Sequence, residues 1–508
     1  MTSSVLSKWT CLLLAAAMTT AVASPAAAGK DDDTLNIAWE ASIPTLDFYF
    51  LSIDEGYSVA QSVCDALVFR DPATQEIKPL LASAWEWSAP KQLDMTLRSD
   101  VKFHDGESFD ADDVVYTLKW ASDPATGVSG QYMVDWIAGV EKLGPDRIRI
   151  TTKDDNKAVL DQLAAGVPIY PEHYHGKVGT EGFSRQPICS GPYKVESAEA
   201  GSSITLVRNE DYFEGSPKGK PAVGKVVIRS VQDANTRIAE LMTGKIDWIY
   251  QLTADQAEKM KSLPGIRIEQ VLGTRIAYLM FNPVNPPENS PVKDPKVRQA
   301  IAHAIDRDSL VNHLVRGVSV RLDTFCQPVM TGCIDKVFDY PYDVEAARKL
   351  LAEAGYAEGF DLDIFAYRDR HVTEALIGDL QKVGIRANLN YMQYSSLDEN
   401  WKQGRLPIAH QTWAGHGLMD AGNHLSSHYL APDSITTDER IKDLVREGNA
   451  GATQEARDEA YGKALALLAE GAYWVPLYIV TDSFAMSDQL TFAPSTDGIV
   501  RFYTAQWN

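Results

Sequence analysis

"LRSDVKFHDGESFDADDVVYTL", Leu97 to Leu118, is the stretch on which the reading of the fold turns. Around its start, Leu93, Met95 and Leu97 alternate with Asp94, Thr96 and Arg98, the period of two that marks a half-buried strand. His104-Asp105-Gly106 breaks that pattern, because Gly tolerates a positive φ and Asp-Gly is a turn pair. Asp110 then stands where a helix N-cap belongs, and Asp112 and Asp113 suit the positive end of the helix dipole. Ala111, Val114, Val115 and Leu118 fall on one helical face. The stretch reads as strand, turn and capped helix. Turn propensity accounts for His104 beside Asp105 without an acid–base role.

The same alternation continues outward. "TLNIAWE", "DRIRITT", "KVVIRSV" and "RIAYLMFN" read as strands, and "GPYKVESAEAGSSITLVRNEDYF" as two strands with a Gly-Ser hairpin between Val195 and Ile204. Ser58–Val68 and "PKVRQAIAHAIDRDSLVNHLV" read as helices, the second with Pro295 at its start and Gly317 just past its end. "DVEAARKLLAEAG" is a helix capped by Asp343. "FDLDIFAY", "TEALIGDLQKVG" and "IRANLNYMQY" form a βαβ unit with a right-handed crossover. "DEAYGKALALLAEG" is a late helix and "YWVPLYIV" a buried strand. Strands alternate with helices throughout, so the class is α/β. Two lobes without a linker imply a chain that crosses between them more than once and leaves a cleft for a ligand.

A chain of 508 residues needs two or three cores. Its net charge of −21 argues against a nucleic-acid partner and against anionic lipid, both of which need clustered Lys and Arg. Lys8, the apolar run Trp9–Val22 and the small residues of "AVASPAAAGK" predict a secretory signal peptide over residues 1–28, cleaved after Ala28, with Ala23 the other option. Cys11 lies at the start of the apolar run, away from a lipoprotein position. Export leaves Cys64, Cys189, Cys326 and Cys333 in an oxidising compartment, where an even count predicts disulfides with three connectivities open. The favoured pairing is 326–333, around "QPVMTG", with 64–189. The competing reading leaves Cys64 a buried thiol.

Several blocks in order now carry a resemblance: "LLASAWEWS" with the quoted stretch, "SGPYKV" with "ITLVRNEDYF", "YLMFN" with "VRQAIAHAIDRDSLV", "YDVEAARKLLAEAG", "LQKVGIRANL" and "EAYGKALALLAEGAYWVPLY". The chain resembles the family 5 extracellular solute-binding proteins of ABC transporters, which include dipeptide-, oligopeptide-, nickel- and opine-binding members. The resemblance implies a two-lobed periplasmic binding fold, type II. Its large lobe would comprise 29–275 completed by 483–508, its second lobe 276–482, with hinge crossings near Gly273 and Thr481. It also implies a periplasmic monomer without catalytic activity or cofactor, which closes on a small solute and delivers it to a membrane permease.

Dipeptide-binding members hold the ligand's amino group on an aspartate shortly after a "GW"-type motif. The matching stretch is "TWAGHGLMDAGNH": Trp413 matches the tryptophan, His416 stands at the aspartate's place, and Asp420 lies four residues on. Arg368 and Arg370 occupy the loop where the family places a carboxylate-binding arginine, and an Arg fork suits a carboxylate. Tyr49 and Phe50 are candidates for the cleft wall, and Glu40 for a cationic group. Arg275 sits beside the hinge. The expected solute is small, polar and carboxylate-bearing: a peptide or an opine-like amino acid–sugar conjugate. The alternatives are a nickel or metal-chelate receptor, on the crowding of His410, His416, His424 and His428, or a secreted chaperone-like peptide binder. No HExxH or paired CxxC supports the metal, and "EHYH" at Glu172–His175 reads as a surface loop. No G-x-S-x-G elbow, Walker A loop or dinucleotide glycine pattern supports a hydrolase or nucleotide enzyme.

Overall fold

Two long antiparallel strands, Ile266–Phe281 and Trp474–Ser487, run side by side through the molecule. The computed structural model in which they are seen describes residues 29–51, 53–129, 131–430, 434 and 438–508. The signal-peptide segment lies outside them. The register of the two strands breaks between the pairs Leu272–Thr481 and Ile276–Ile479, so Gly273, Thr274 and Arg275 fall in an irregular step. On one side of the step the pair joins Trp248–Tyr250, Thr34–Trp39, Lys225–Ser230, Ser203–Arg208 and Tyr193–Glu199. On the other it joins Ile408–Trp413, Phe360–Ala366 and Ile385–Tyr391. One continuous sheet therefore runs through both main cores. Leu35, Trp39, Tyr193, Leu206, Trp248, Phe484 and Phe502 belong to the first. Ile276, Phe281, Ile301, Leu362, Leu376 and Trp474 belong to the second.

The strand that leads into the quoted stretch belongs to a separate four-stranded antiparallel sheet in the first lobe, in the order Ala82–Ala89, Gln92–Leu97, Arg147–Thr152, Ile137–Gly144. Leu93, Met95 and Leu97 are all buried, as the alternation requires. The helix that follows spans Ala111–Ser122 and carries both halves of a capping box. The amide of Asp112 donates to Asp110 Oδ1 at 2.7 Å, and that of Asp110 to Asp113 Oδ2 at 2.9 Å. His104 is half-buried and its Nε2 lies 3.0 Å from the Gly191 carbonyl. Burial pulls its pKa down to about 4, a neutral structural histidine.

The βαβ unit appears as two parallel strands, Phe360–Ala366 and Ile385–Tyr391, joined by the helix Arg370–Lys382. Both expected disulfides form, Cys64–Cys189 and Cys326–Cys333. Chain-entropy arithmetic for loops closed over 125 and 7 positions gives about 5 and about 2.5 kcal/mol.

Three expected elements differ. The helix anticipated over Ser58–Val68 is Asp54–Val63. Cys64 turns extended to meet Cys189, and Gly191 abuts the Val63 backbone so closely that a Cβ would collide with it. The helix from Pro295 ends at Ala304, because Ile305 is extended and Asp306 starts a new turn by accepting from Ser309 N. "EHYH" is the first turn of a helix, Glu172–Arg185, and its His175 is buried with Nδ1 2.6 Å from the Tyr116 hydroxyl. No described helix is long and apolar enough to cross a membrane.

Candidate interlobe binding site

The irregular step between the long strands gathers charge. Asp54 and Glu55 open the helix Asp54–Val63. Arg275, in the step itself, reaches Asp54 Oδ2 at 3.2 Å. From the second lobe, His416 Nδ1 meets Asp54 Oδ1 at 2.6 Å. Its backbone sits in the left-handed region, φ +49°, which a following glycine, Gly417, continues at +86°. Burial pushes the Asp54 carboxyl up, but its hydrogen bonds and charge contacts with His416 and Arg275 outweigh that and hold it below its ordinary value.

Asp482 lies on the partner strand against Gly273, where a Cβ would run into its carboxylate. Burial raises the Asp482 pKa to about 6. Asp54 and Glu55 add to the rise, and Arg275 and Arg368 oppose it. Glu55 is likewise raised by burial while accepting from the Tyr250 hydroxyl. The cluster therefore combines three carboxylates, the Arg275 guanidinium and an imidazole, with the Arg368 guanidinium at its border. Tyr57 flanks it, its ring 6.0 Å from that of His416. Groups of both signs are held part-desolvated, an arrangement that suits a zwitterionic or mixed-charge solute.

The candidates from sequence divide. His416 is in the cluster. Arg368 borders it: its Nε contacts Asp369 Oδ2 at 3.0 Å and its Nη1 Thr412 Oγ1 at 3.3 Å. Trp413 ends the strand Ile408–Trp413 beside them and packs edge-on to His424 at 4.2 Å. The rest lie elsewhere. Arg370 points away, 62% exposed and paired with Glu374 at 2.8 Å within its own helix. Tyr49 is a core residue whose hydroxyl donates to the Pro168 carbonyl at 2.8 Å, and Phe50 packs on Trp120. Glu40 is 60% exposed and meets Arg237 at 3.2 Å. Asp420 is not free to take the missing aspartate's role. It is buried, caps the helix Ala421–Tyr429 through Gly422 N, and pairs with Arg457 at 2.5 Å.

Asp54, Glu55 and Asp482 are not among the candidates from sequence. Their only signal was adjacency: Asp482 follows the anticipated crossing at Thr481, and Asp54 begins a helix whose start was misplaced. The four histidines do not converge. His410 Nδ1 bonds Thr373 at 2.8 Å, His416 bonds Asp54, and His424 and His428 lie against Trp474. Among the described residues no three His, Cys, Asp or Glu are grouped to hold a metal ion. A groove of about 670 Å³ runs on from the interface, lined by Trp87, Lys157 and Asp161 of the first lobe and Thr331, Asp420 and Arg457 of the second.

Residues 76–433 match the model of the bacterial extracellular solute-binding proteins, family 5. The chain belongs to that family. Heme-binding protein A of Haemophilus influenzae is 28% identical over 456 residues, 82% of either chain. The dipeptide-binding protein of Escherichia coli K12 is 27% identical over 449 residues, 81% of this chain and 82% of that one. Among solved structures, AgaA of A. tumefaciens R10, in complex with agropinic acid, superposes with a TM-score of 0.78 at 25% identity, covering 94% of this chain and 99% of that one. The architecture is the two-lobed fold of these periplasmic binding proteins.

Proposed function

We propose that this family 5 protein is the periplasmic receptor of an ABC importer, a non-catalytic carrier that captures a small polar solute by hinge closure and passes it to a membrane permease. The lobes are 29–275 with 483–508, and 276–482, and the hinge is the step at Gly273–Arg275 with its partner near Thr481. Residues 1–28 direct export. One observation carries the reading: both lobes contribute charged groups to one cluster at the strand step, so filling it is coupled to the angle between them. Arg368 receives a carboxylate of the solute, and Asp54, Glu55 and Asp482 face its cationic or hydroxylated part. A peptide or an opine-like conjugate offers both, in keeping with the dipeptide and agropinic acid named for relatives.

The test is a thermal-shift screen of residues 29–508 against dipeptides, tripeptides, opines, sugars and Ni²⁺, followed by titration of the hit into Arg368→Ala. A carboxylated hit whose affinity falls at least tenfold in Arg368→Ala supports the site. A hit that binds Arg368→Ala normally refutes the carboxylate assignment. Stabilisation by Ni²⁺ alone refutes the solute class.

A further inference from the structure

The lobes also meet along a line of contacts that the charged cluster does not use. It is formed by residues 417–423 of the second lobe. Leu418 is 2% exposed and packs within the core of the first lobe, the one residue of its own lobe to do so among the described residues. Gly417 makes this approach possible: with φ +86°, a Cβ there would stand 3.4 Å from that of Ala165 and 3.3 Å from Ile499. Immediately after Leu418, the amides of Met419 and Asp420 donate to Asp161 Oδ2 at 2.8 and 3.1 Å, and Asn423 Nδ2 donates to the same oxygen at 3.2 Å. Asp161 belongs to the first lobe, on the helix Val159–Gly166, and its side chain is 1% exposed. Its other oxygen is fixed by Arg70 Nε at 2.5 Å.

The donors surround the start of the helix Ala421–Tyr429, so a buried carboxylate of one lobe occupies the positive end of a helix of the other. The contact is braced from behind. Thr331, inside the loop closed by Cys326–Cys333, donates to the Met419 carbonyl at 2.8 Å and accepts from Ala421 N at 2.9 Å. Gln327 of the same loop donates to the Gly273 carbonyl in the step at 3.3 Å. One feature tempers the grip. Asp420 brings a second carboxylate close to Asp161, and Arg457 offsets it from the second lobe's side.

We infer that Asp161 is a positioning residue for solute capture: with Leu418 as its apolar counterpart it holds the lobes closed, acting on the interlobe angle without touching the solute. The inference rests on the hinge-closure reading. When the lobes part, Asp161 keeps Arg70 but exchanges three donors for water. Hydrogen bonds to a buried charge are among the stronger ones, so their loss shifts the closed-to-open ratio by roughly tenfold or more.

The experiment is a spin-label distance measurement on residues 29–508, whose four cysteines are paired. Labels go on Glu86→Cys and Glu447→Cys, exposed positions on the strand and the helix that supply Trp87 and Ala450 to the groove. The parent should show one dominant short distance. Asp161→Ala and Leu418→Ala should each move most of the population to longer distances, and Asp161→Asn, which keeps an acceptor, should move less. Near-UV circular dichroism should stay unchanged. Unshifted distances in both alanine variants would overturn the inference. So would a shift accompanied by loss of the near-UV signal, since that would make the role structural. Failure of the receptor reading would show separately, as the absence of a stabilising solute in the thermal-shift screen.

Discussion

Asp482→Asn should make this protein more stable at neutral pH. The Asp482 carboxyl has a folded-state pKa of about 6 against an ordinary value of 3.8. Burial is the main cause, and Arg275 and Arg368 offset it only in part. A carboxylate with a raised folded-state pKa binds its proton more tightly folded than unfolded. It therefore costs nothing below about pH 4, and the cost grows between about pH 4 and 6 to its full value above. The difference of about two pK units corresponds to about 3 kcal/mol at pH 7. Asn keeps the shape against Gly273 and removes the ionisation. Urea unfolding of residues 29–508 and of Asp482→Asn, followed from pH 4 to 8, should give curves that meet near pH 4 and diverge to about 3 kcal/mol by pH 7. The same variant should bind a solute bearing an amino group less tightly, because stability given up at a site is commonly the mark of function there. A constant offset across the pH range, or a variant less stable at pH 7, would refute the reasoning.

Other expectations follow from the same contacts. Arg370→Ala should leave solute affinity within twofold of the parent, by titration calorimetry, because that side chain is exposed and paired within its own helix. Asp110→Ala should lose about 1 kcal/mol in urea unfolding through the missing cap, with solute binding unaltered. Replacing both Cys64 and Cys189 by Ser should cost about 5 kcal/mol on chain-entropy grounds, with the unfolding midpoint no longer sensitive to reductant at that bridge.

How much of this was legible in the sequence depended on whether the signal was local. The stretch Leu97–Leu118 declared its strand, turn and capped helix through period, Gly and Asp placement, and each is present. The βαβ unit was equally readable, whereas the cysteines left three pairings open, of which the favoured one forms. The helix boundaries after Val63 and Ala304 were not, because they are set by a disulfide and by an N-cap competing within an apolar run, contacts that periodicity does not encode. Tyr49 illustrates the limit at the site: an aromatic in an early loop has the same sequence signature whether it lines a cleft or, as here, fills a core. Asp420 illustrates another, since its capping of one helix and pairing with Arg457 on a second are long-range facts. The cluster of Asp54, Glu55, Arg275, His416 and Asp482 joins residues hundreds of positions apart. Only the strand step brings them together.

The central claim is that a solute with a carboxylate and a cationic or hydroxylated part fills that cluster. The measurement that tests it most directly is titration calorimetry of the thermal-shift hit against the parent, Arg368→Ala and Asp482→Asn. A ligand specific for the folded state adds about 2.7 kcal/mol at a hundredfold excess over its dissociation constant, enough to identify the hit beforehand. Each variant should weaken binding by tenfold or more while remaining folded. Undiminished affinity in both variants would place the solute elsewhere and contradict it.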